Sequence, residues 1–242
     1  MIKVLFVKKR RINFIAELLR ISAFFMLLFT GCAAVKSDDI IDFSGTASIE
    51  SLSSNASLVY SNSERSISGT GIFMFKKPDK LHLVLLSPFG SVLQEVFVTG
   101  DIITIIDSGN GNAFTGNYND LPSEGNLTAW RQIHWIVDID LPDTLRRTAL
   151  INRTNRFGDR EEAAFKNGLL KSKSTEMGGE VIYSNYAGVD GVAVPLEILY
   201  KTKSEEQFLI QFDDPEINKG MPDALFQANL SKYHLYPLSV LK

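Results

Sequence analysis

Between Ser66 and Phe114 the chain repeats one pattern: a short segment of alternating apolar and polar residues, then a turn. In Ser66–Phe75, Ile67, Phe73 and Phe75 fall on one face and Ser66, Ser68 and Thr70 on the other. Lys77-Pro78-Asp79-Lys80 is a turn, followed by apolar segments over Leu81–Leu86 and Val92–Thr99. Gly100-Asp101 is a two-residue hairpin turn, Asp101–Ile106 continues, and Asp107-Ser108-Gly109-Asn110-Gly111-Asn112 leads into a short strand around Phe114. Parallel neighbours need a crossover of a dozen or more residues, and none of these links has that length. Consecutive segments must therefore pair antiparallel. A further alternating segment opens at Phe43, with Phe43, Ala47 and Ile49 on one side.

The pattern changes at Leu121-Pro122. Asn126 is placed to cap a helix through Leu127, Trp130, His134 and Val137, which are spaced three or four apart, and Asp140-Leu141-Pro142 ends it. The expected fold is mainly β with helices, an antiparallel and strongly curved sheet with the Leu127–Val137 helix on its concave side. Thr144–Lys171 is less regular. Asp159 reads as the cap of a short helix over Arg160–Lys166, closed by Asn167-Gly168. Strand patterns return at Glu180–Tyr186, Val194–Thr202 and Glu206–Phe212, and residues 221–242 show no clear period. No repeat or low-complexity linker interrupts the chain, so residues 42–242 read as one domain.

The start of the chain is of another kind. Lys3, Lys8, Lys9, Arg10 and Arg11 precede a segment, Ile21–Val35, without a charge. It is short for a membrane span of about 20 residues and fits the apolar part of a secretory signal; an uncleaved anchor is the alternative. Where it ends stands the only cysteine, in Leu28-Phe29-Thr30-Gly31-Cys32. One cysteine forms no internal disulfide. These residues resemble the bacterial lipobox, with Phe29 where an aliphatic is usual. That resemblance implies a signal peptide over 1–31, lipidation at Cys32 and a tether over 32–41. Ala33 in place of aspartate implies the outer membrane, facing the periplasm. Each buried CH₂ of an anchor contributes about 0.8 kcal/mol.

The rest of the sequence excludes more than it nominates. Lysine and arginine total 25 against 28 acidic residues among 242, and nothing in that balance points to nucleic acid. His82, His134 and His234 lack metal-ligand spacing to one another. Gly109-Asn110-Gly111 lies in a turn rather than opening a helix, and no G-x-S-x-G is present. Asp138, Asp140 and Asp143 lack the spacing of a calcium loop. Arg146, Arg147, Arg153, Arg156 and Arg160 form a basic cluster, read as a solvated face or, alternatively, a surface for anionic lipid or an acidic partner. No catalytic residue, metal or cofactor is expected.

One turn is unusual. Ser87-Pro88-Phe89-Gly90-Ser91 sits between two apolar runs and carries a large aromatic where turns favour small or polar residues. With Phe43-Ser44-Gly45-Thr46-Ala47, the Gly71–Phe75 strand, Leu83–Ser91, Phe114-Thr115-Gly116 and the Leu127–Trp135 helix, the chain resembles the outer-membrane lipoprotein receptor LolB. The match runs from about Asp42 to Val137, and more loosely over Glu180–Phe212. It departs at Asp138–Gly179, which is longer than the family's link, and at the C-terminal tail. The resemblance implies an incomplete antiparallel barrel wrapped around helices and enclosing an apolar cavity for acyl chains. It implies a monomer that receives lipoproteins from a LolA-like periplasmic carrier and delivers them to the outer membrane without covalent chemistry. Phe89, held by Pro88 and Gly90, falls at the family's membrane-insertion tip; the alternative is an aromatic folded back onto the sheet. Strand alternation and the helix face nominate Phe73, Phe75, Leu83, Leu85 and Trp130 to line the cavity. Two other readings stay open: a glycolipid or phospholipid as cargo, and a periplasmic interaction or sensor module of the same fold, its interior filled by its own side chains.

Overall fold

The computed structural model describes residues 48–121, 127–139, 148–155, 157–176 and 179–241. Residues 41–242 form one compact unit. The signal segment, Cys32, the tether, Phe43–Ala47 and Asn126 lie outside the described residues, as do Asp140, Pro142, Asp143, Arg146, Arg147 and Arg156.

Six strands come first: β1 (Ser51–Ser61), β2 (Ser66–Lys76), β3 (Lys80–Leu86), β4 (Val92–Thr99), β5 (Ile102–Asp107) and β6 (Asn112–Asn117). Two short helices follow, α1 (Thr128–Arg131) and α2 (Ile133–Val137). Then come β7 (Ala149–Thr154), β8 (Arg160–Lys166), β9 (Leu169–Thr175), β10 (Glu180–Val189), β11 (Val192–Lys201), β12 (Gln207–Ile217) and β13 (His234–Pro237). All belong to one sheet, in the order β13-β6-β5-β4-β3-β2-β1-β12-β11-β10-β9-β8-β7. The chain walks outward from β1 to β6, crosses through the helices to the far edge, and walks back from β7 until β12 pairs with β1. Among the described residues every pairing is antiparallel except that of β13 with β6, which is parallel.

The helical crossover shows the curvature. His134 Nε2 donates to the Gly100 carbonyl in the β4–β5 turn at 2.8 Å. Two residues on, the Ile136 carbonyl accepts from the Tyr183 hydroxyl of β10, also at 2.8 Å. On a flat sheet β4 and β10 would lie six spacings apart, about 29 Å, whereas two helical residues rise only about 3 Å. The sheet must wrap around the helices. Trp130, Ile133, Trp135, Ile136 and Val137 then share one apolar cluster with the inward positions of β1–β5 and β8–β12.

Two sequence expectations change, at Arg160–Lys166 and at the single helix. Arg160–Lys166 is a strand rather than a helix: Glu161, Ala163 and Phe165 alternate inward, and Asn167-Gly168 makes a hairpin turn with both residues at positive φ. The segment expected from Phe43 is described only from Ser48, and the strand in that region, β1, begins at Ser51 and runs on to Ser61. The expected single helix breaks at Gln132, where φ and ψ are −108° and 5°. Asp138–Gly179, the stretch that departs from the LolB pattern, contains β7–β9 and lengthens the sheet at one edge.

The C-terminal segment crosses the outer face. Asp223 bridges Lys76 and Lys80 at 2.8 and 2.9 Å, and these two lysines hold its carboxyl down to about 2. Ala228, Leu230 and Tyr233 pack on Phe97, Ile106 and Ala113 before β13 joins β6.

Close approach of β2 and β3 rests on Gly71. A Cβ there would lie 1.9 Å from the Val84 carbonyl oxygen, a backbone atom held by the ladder, while a Cβ on Gly69 would meet only a Leu85 methyl at 3.9 Å. Gly71→Ala should cost about 3 kcal/mol by forcing the strands apart, and Gly69→Ala should be nearly silent. Urea midpoints of the two variants test the contrast.

Candidate functional site

The β3–β4 connection is a locked turn. Ser87 N donates to the Ser91 carbonyl at 2.8 Å, and Gly90 N to the Ser87 carbonyl at 2.9 Å. Ser87 Oγ accepts from Phe89 N at 3.2 Å and Ser91 N at 3.1 Å, and lies 2.7 Å from Ser91 Oγ. Gly90 has φ +80°, a conformation that favours glycine. None of these bonds uses the Phe89 side chain, which is 98 % exposed. Val92 and Leu93, at the foot of the turn, are also exposed. So is Ile67, in the part of β2 that runs past the end of β3. The aromatic does not fold back on the sheet; the turn presents it to solvent beside other apolar side chains.

The interior candidates gather as one cluster. Phe73 faces Leu83 across β2 and β3, and Phe73 meets Phe212 edge-on at 5.2 Å. Trp130 leans on Phe208 with ring centroids 5.7 Å apart. Phe73 and Phe75 are 2 % exposed and Leu83 0 %, so other protein atoms cover them completely. Leu85 keeps accessible surface. So do Phe114, Tyr118, Leu127, Tyr186 and Val189 at the margin of the same cluster. Sequence reading passed over these marginal residues because alternation shows which way a side chain points and not how deeply it is covered.

The sequence also concealed a charged group inside the sheet. Glu161 of β8 is 3 % exposed. Its carboxylate accepts from Arg153 Nε at 2.9 Å and Nη2 at 2.6 Å, and from the Trp135 indole of α2. Lys173 of β9, also buried, donates to the Asp138 carbonyl at 2.7 Å, with its ammonium 5.3 Å from the Trp135 ring and 5.8 Å from Tyr183. Burial pushes the Glu161 carboxyl up. The bonds from Trp135 and Arg153 and the charge of Lys173 outweigh that and hold it below its ordinary value. These contacts fix the helices against β7–β10. A cleft of about 660 Å³ lies beside them, lined in part by Arg153, Arg160, Glu161, Glu162 and Glu176. Arg153 of the expected basic cluster is thus partly a structural cation.

The histidines are separate. His82 lies on the outer face, stacked on Phe97 at 4.0 Å and 3.2 Å from Glu95, and burial lowers its pKa. His134 lies inside, and His234 is exposed on β13. Among the described residues no group of three His, Cys, Asp or Glu is placed to hold a metal ion. No described helix is long and apolar enough to cross a membrane.

A long antiparallel sheet, unclosed and curled around a helical crossover, defines a LolA-like fold. The chain is similar to a DUF1329 family protein from Desulfovibrio piger, with 11% identity, 74% of this chain and 90% of that one covered, and a TM-score of 0.56. It is similar to a LolA superfamily protein from Nitrosomonas europaea, with 12% identity, coverage of 75% and 92%, and a TM-score of 0.52. A putative outer membrane lipoprotein-sorting protein domain from Vibrio parahaemolyticus aligns at 7% identity over 73% and 88%, with a TM-score of 0.51. At these identities the likeness is one of fold. Sequence comparison finds no matching family model and no matching curated protein.

Proposed function

We propose that this chain is a lipid-anchored envelope protein that binds the acyl chains of lipoproteins and passes them into the outer membrane, as its resemblance to LolB implies. In this reading Cys32 carries the anchor, a LolA-like carrier supplies the cargo, and the domain stands on the periplasmic face of the outer membrane. No bond is made or broken. The supporting observation is Phe89, fully exposed on a turn that does not need it. The envelope-related neighbours agree with this reading: one is of the LolA superfamily and another is a putative lipoprotein-sorting domain. The cargo would enter between the helices and the sheet. The tip would part the headgroups at the point of release.

A second reading has its own observation. Phe73, Phe75 and Leu83 are sealed by neighbouring side chains, as an interaction or sensor module with a filled interior would have them. An acyl chain reaches them only if the packing around them opens. Mass spectrometry of protein purified gently from membranes separates the two. Acyl lipid or lipoprotein bound to the folded domain, with a diacylglyceryl mass on Cys32, is the expected result. Lipid-free protein with an unmodified Cys32 would sink the carrier reading.

A further inference from the structure

The sheet ends in two unlike edges. β13 is four residues long and closes with Pro237, which brings no N–H to a further strand. β7 is six residues long and contains no proline, glycine or lysine. It pairs with β8 residue for residue, from Ala149 opposite Phe165 to Thr154 opposite Arg160, so no bulge twists it away. Among the described residues no strand lies on its other side. None of its six residues is buried. Leu150 is 61 % exposed on the convex side. Ile151, opposite the inward Ala163 and so on the concave side, is 42 % exposed. Natural edges are guarded by short length, proline, a bulge or charge. The one charge on β7 is Arg153, and Glu161 of the same sheet holds its guanidinium at 2.9 and 2.6 Å. An edge ladder flanked by apolar side chains on both faces is fitted to take an extended strand.

We propose that β7 is the contact of a homodimer: two copies pair their β7 strands antiparallel about a two-fold axis, and their sheets run on as one. The occupant is a second copy because the strand complements itself. With the axis at Ile151, each Ile151 faces the partner's Ile151, Leu150 faces the partner's Asn152, and Ala149 faces the partner's Arg153. Opposed residues of an antiparallel pair share a face, so the two isoleucines meet on the concave side. The strand's single charged residue meets an alanine, and no like charges oppose. Association also stops at two. A two-fold contact uses the same edge of both copies and leaves only the β13 edges, where Pro237 and the short ladder disfavour a third copy. The dimer departs from the monomer that the resemblance implies. It is built by Asp138–Gly179, the stretch that departs from the LolB pattern, so the added strands bring a surface of their own.

The test uses the full chain with its one cysteine replaced, Cys32→Ser, in a nonionic detergent. Light scattering gives the protein mass once the detergent share is subtracted. A strand contact of this size belongs with the weak interfaces below about 1,200 Å², so the measurement runs from about 1 µM to about 200 µM. The mass should rise from 26.9 kDa toward twice that value. Ile151→Lys sets two ammonium groups face to face across the axis and should weaken dimerisation at least about tenfold. Leu235→Lys, on the β13 edge, should leave it unchanged. Ile151→Cys should cross-link to its own copy on mild oxidation, because opposed Cβ atoms lie about 4.5–5.5 Å apart, close to what a disulfide spans. Leu235→Cys should not. Urea midpoints check that Ile151→Lys folds; if it does not, Leu150→Lys on the convex side takes its place. A monomer at every concentration overturns the proposal and leaves the edge to a strand of another protein. Dimers that survive the lysine variant place the contact elsewhere and overturn it too. So do masses that climb past two copies, which would mean head-to-tail pairing of β7 with β13.

Discussion

If the chain delivers lipoproteins as proposed, Phe89→Glu should stop delivery to bilayers and leave the domain folded. The side chain is 98 % exposed and the turn is held by Ser87, Gly90 and Ser91 backbone and hydroxyl groups. No burial is lost, so stability should change by less than about 0.5 kcal/mol, the usual range of a surface substitution. At the membrane the balance is different. Burying a phenylalanine side chain is worth about 1.5–3 kcal/mol, and a carboxylate resists entering hydrocarbon. At about 1.36 kcal/mol per tenfold in rate, the release step should slow at least tenfold, and by more if the charge is desolvated. Phe89→Leu keeps the apolar tip and should be nearly silent. The measurement follows a labelled lipoprotein from carrier to receptor to liposome, each step scored separately. Cargo should accumulate on the Phe89→Glu protein. Transfer at the wild-type rate, or unfolding of the variant, would falsify the wedge.

Glu161→Ala should be the most destabilising change in the inner polar group. It leaves Arg153, Lys173 and the Trp135 N–H around a vacated buried site. Breaking a fully buried ion pair by removing one partner costs about 3–5 kcal/mol, and because Arg153 keeps part of its side chain in solvent the loss should fall at the low end, about 3 kcal/mol. Glu161→Gln keeps an acceptor for Trp135 and should lose less. The pH dependence has a definite sign. The folded-state pKa of Glu161 is depressed, so its contribution is complete above the unfolded value of about 4.3 and is lost as pH falls through the folded one. The wild type should therefore outlast Glu161→Gln at pH 7, and the gap should narrow as the solution is acidified below pH 4. Urea midpoints of both proteins from pH 7 to pH 3 test this. A gap that holds constant or widens in acid would show that the carboxylate charge is not what stabilises the group.

The hairpins from Ser66 to Asn117 were legible because each link is too short to allow anything but an antiparallel neighbour. The exposed tip was legible only through the family resemblance and the tight Pro88–Gly90 turn, since a lone aromatic more often packs against the sheet. Arg160–Lys166 was not. Its sequence, Arg-Glu-Glu-Ala-Ala-Phe-Lys, is rich in helix formers, and Asn-Gly ends a helix as readily as it turns a hairpin. Pairing with β7 on one side and β9 on the other decided the matter, and no local window contains that information. In β1 the inward positions include Ser54 and Ala56, so small residues hide the apolar period. The parallel pairing of β13 with β6 joins segments more than a hundred residues apart without a turn to announce it. The Glu161 group was hidden for a related reason: an inward-facing charge can be recognised only once the register is known.

The pairing of β1 with β12 has a consequence in time. Leu52 lies opposite Ile217, so the middle of the sheet joins the two ends of the domain. During synthesis β1 has β2 on one side and nothing on the other until nearly the whole chain has emerged. Contacts of such long sequence separation are slow to form, because loop closure must precede their stabilisation. The outward meander, β1 to β6, would wait with one flank of β1 unpaired and with Phe73 and Leu83 uncovered until the helices and β12 arrive. A chain built this way folds late, because its central pairing waits for its last long strand. It also makes the last large strand, rather than the first, the switch that commits the molecule to its native state.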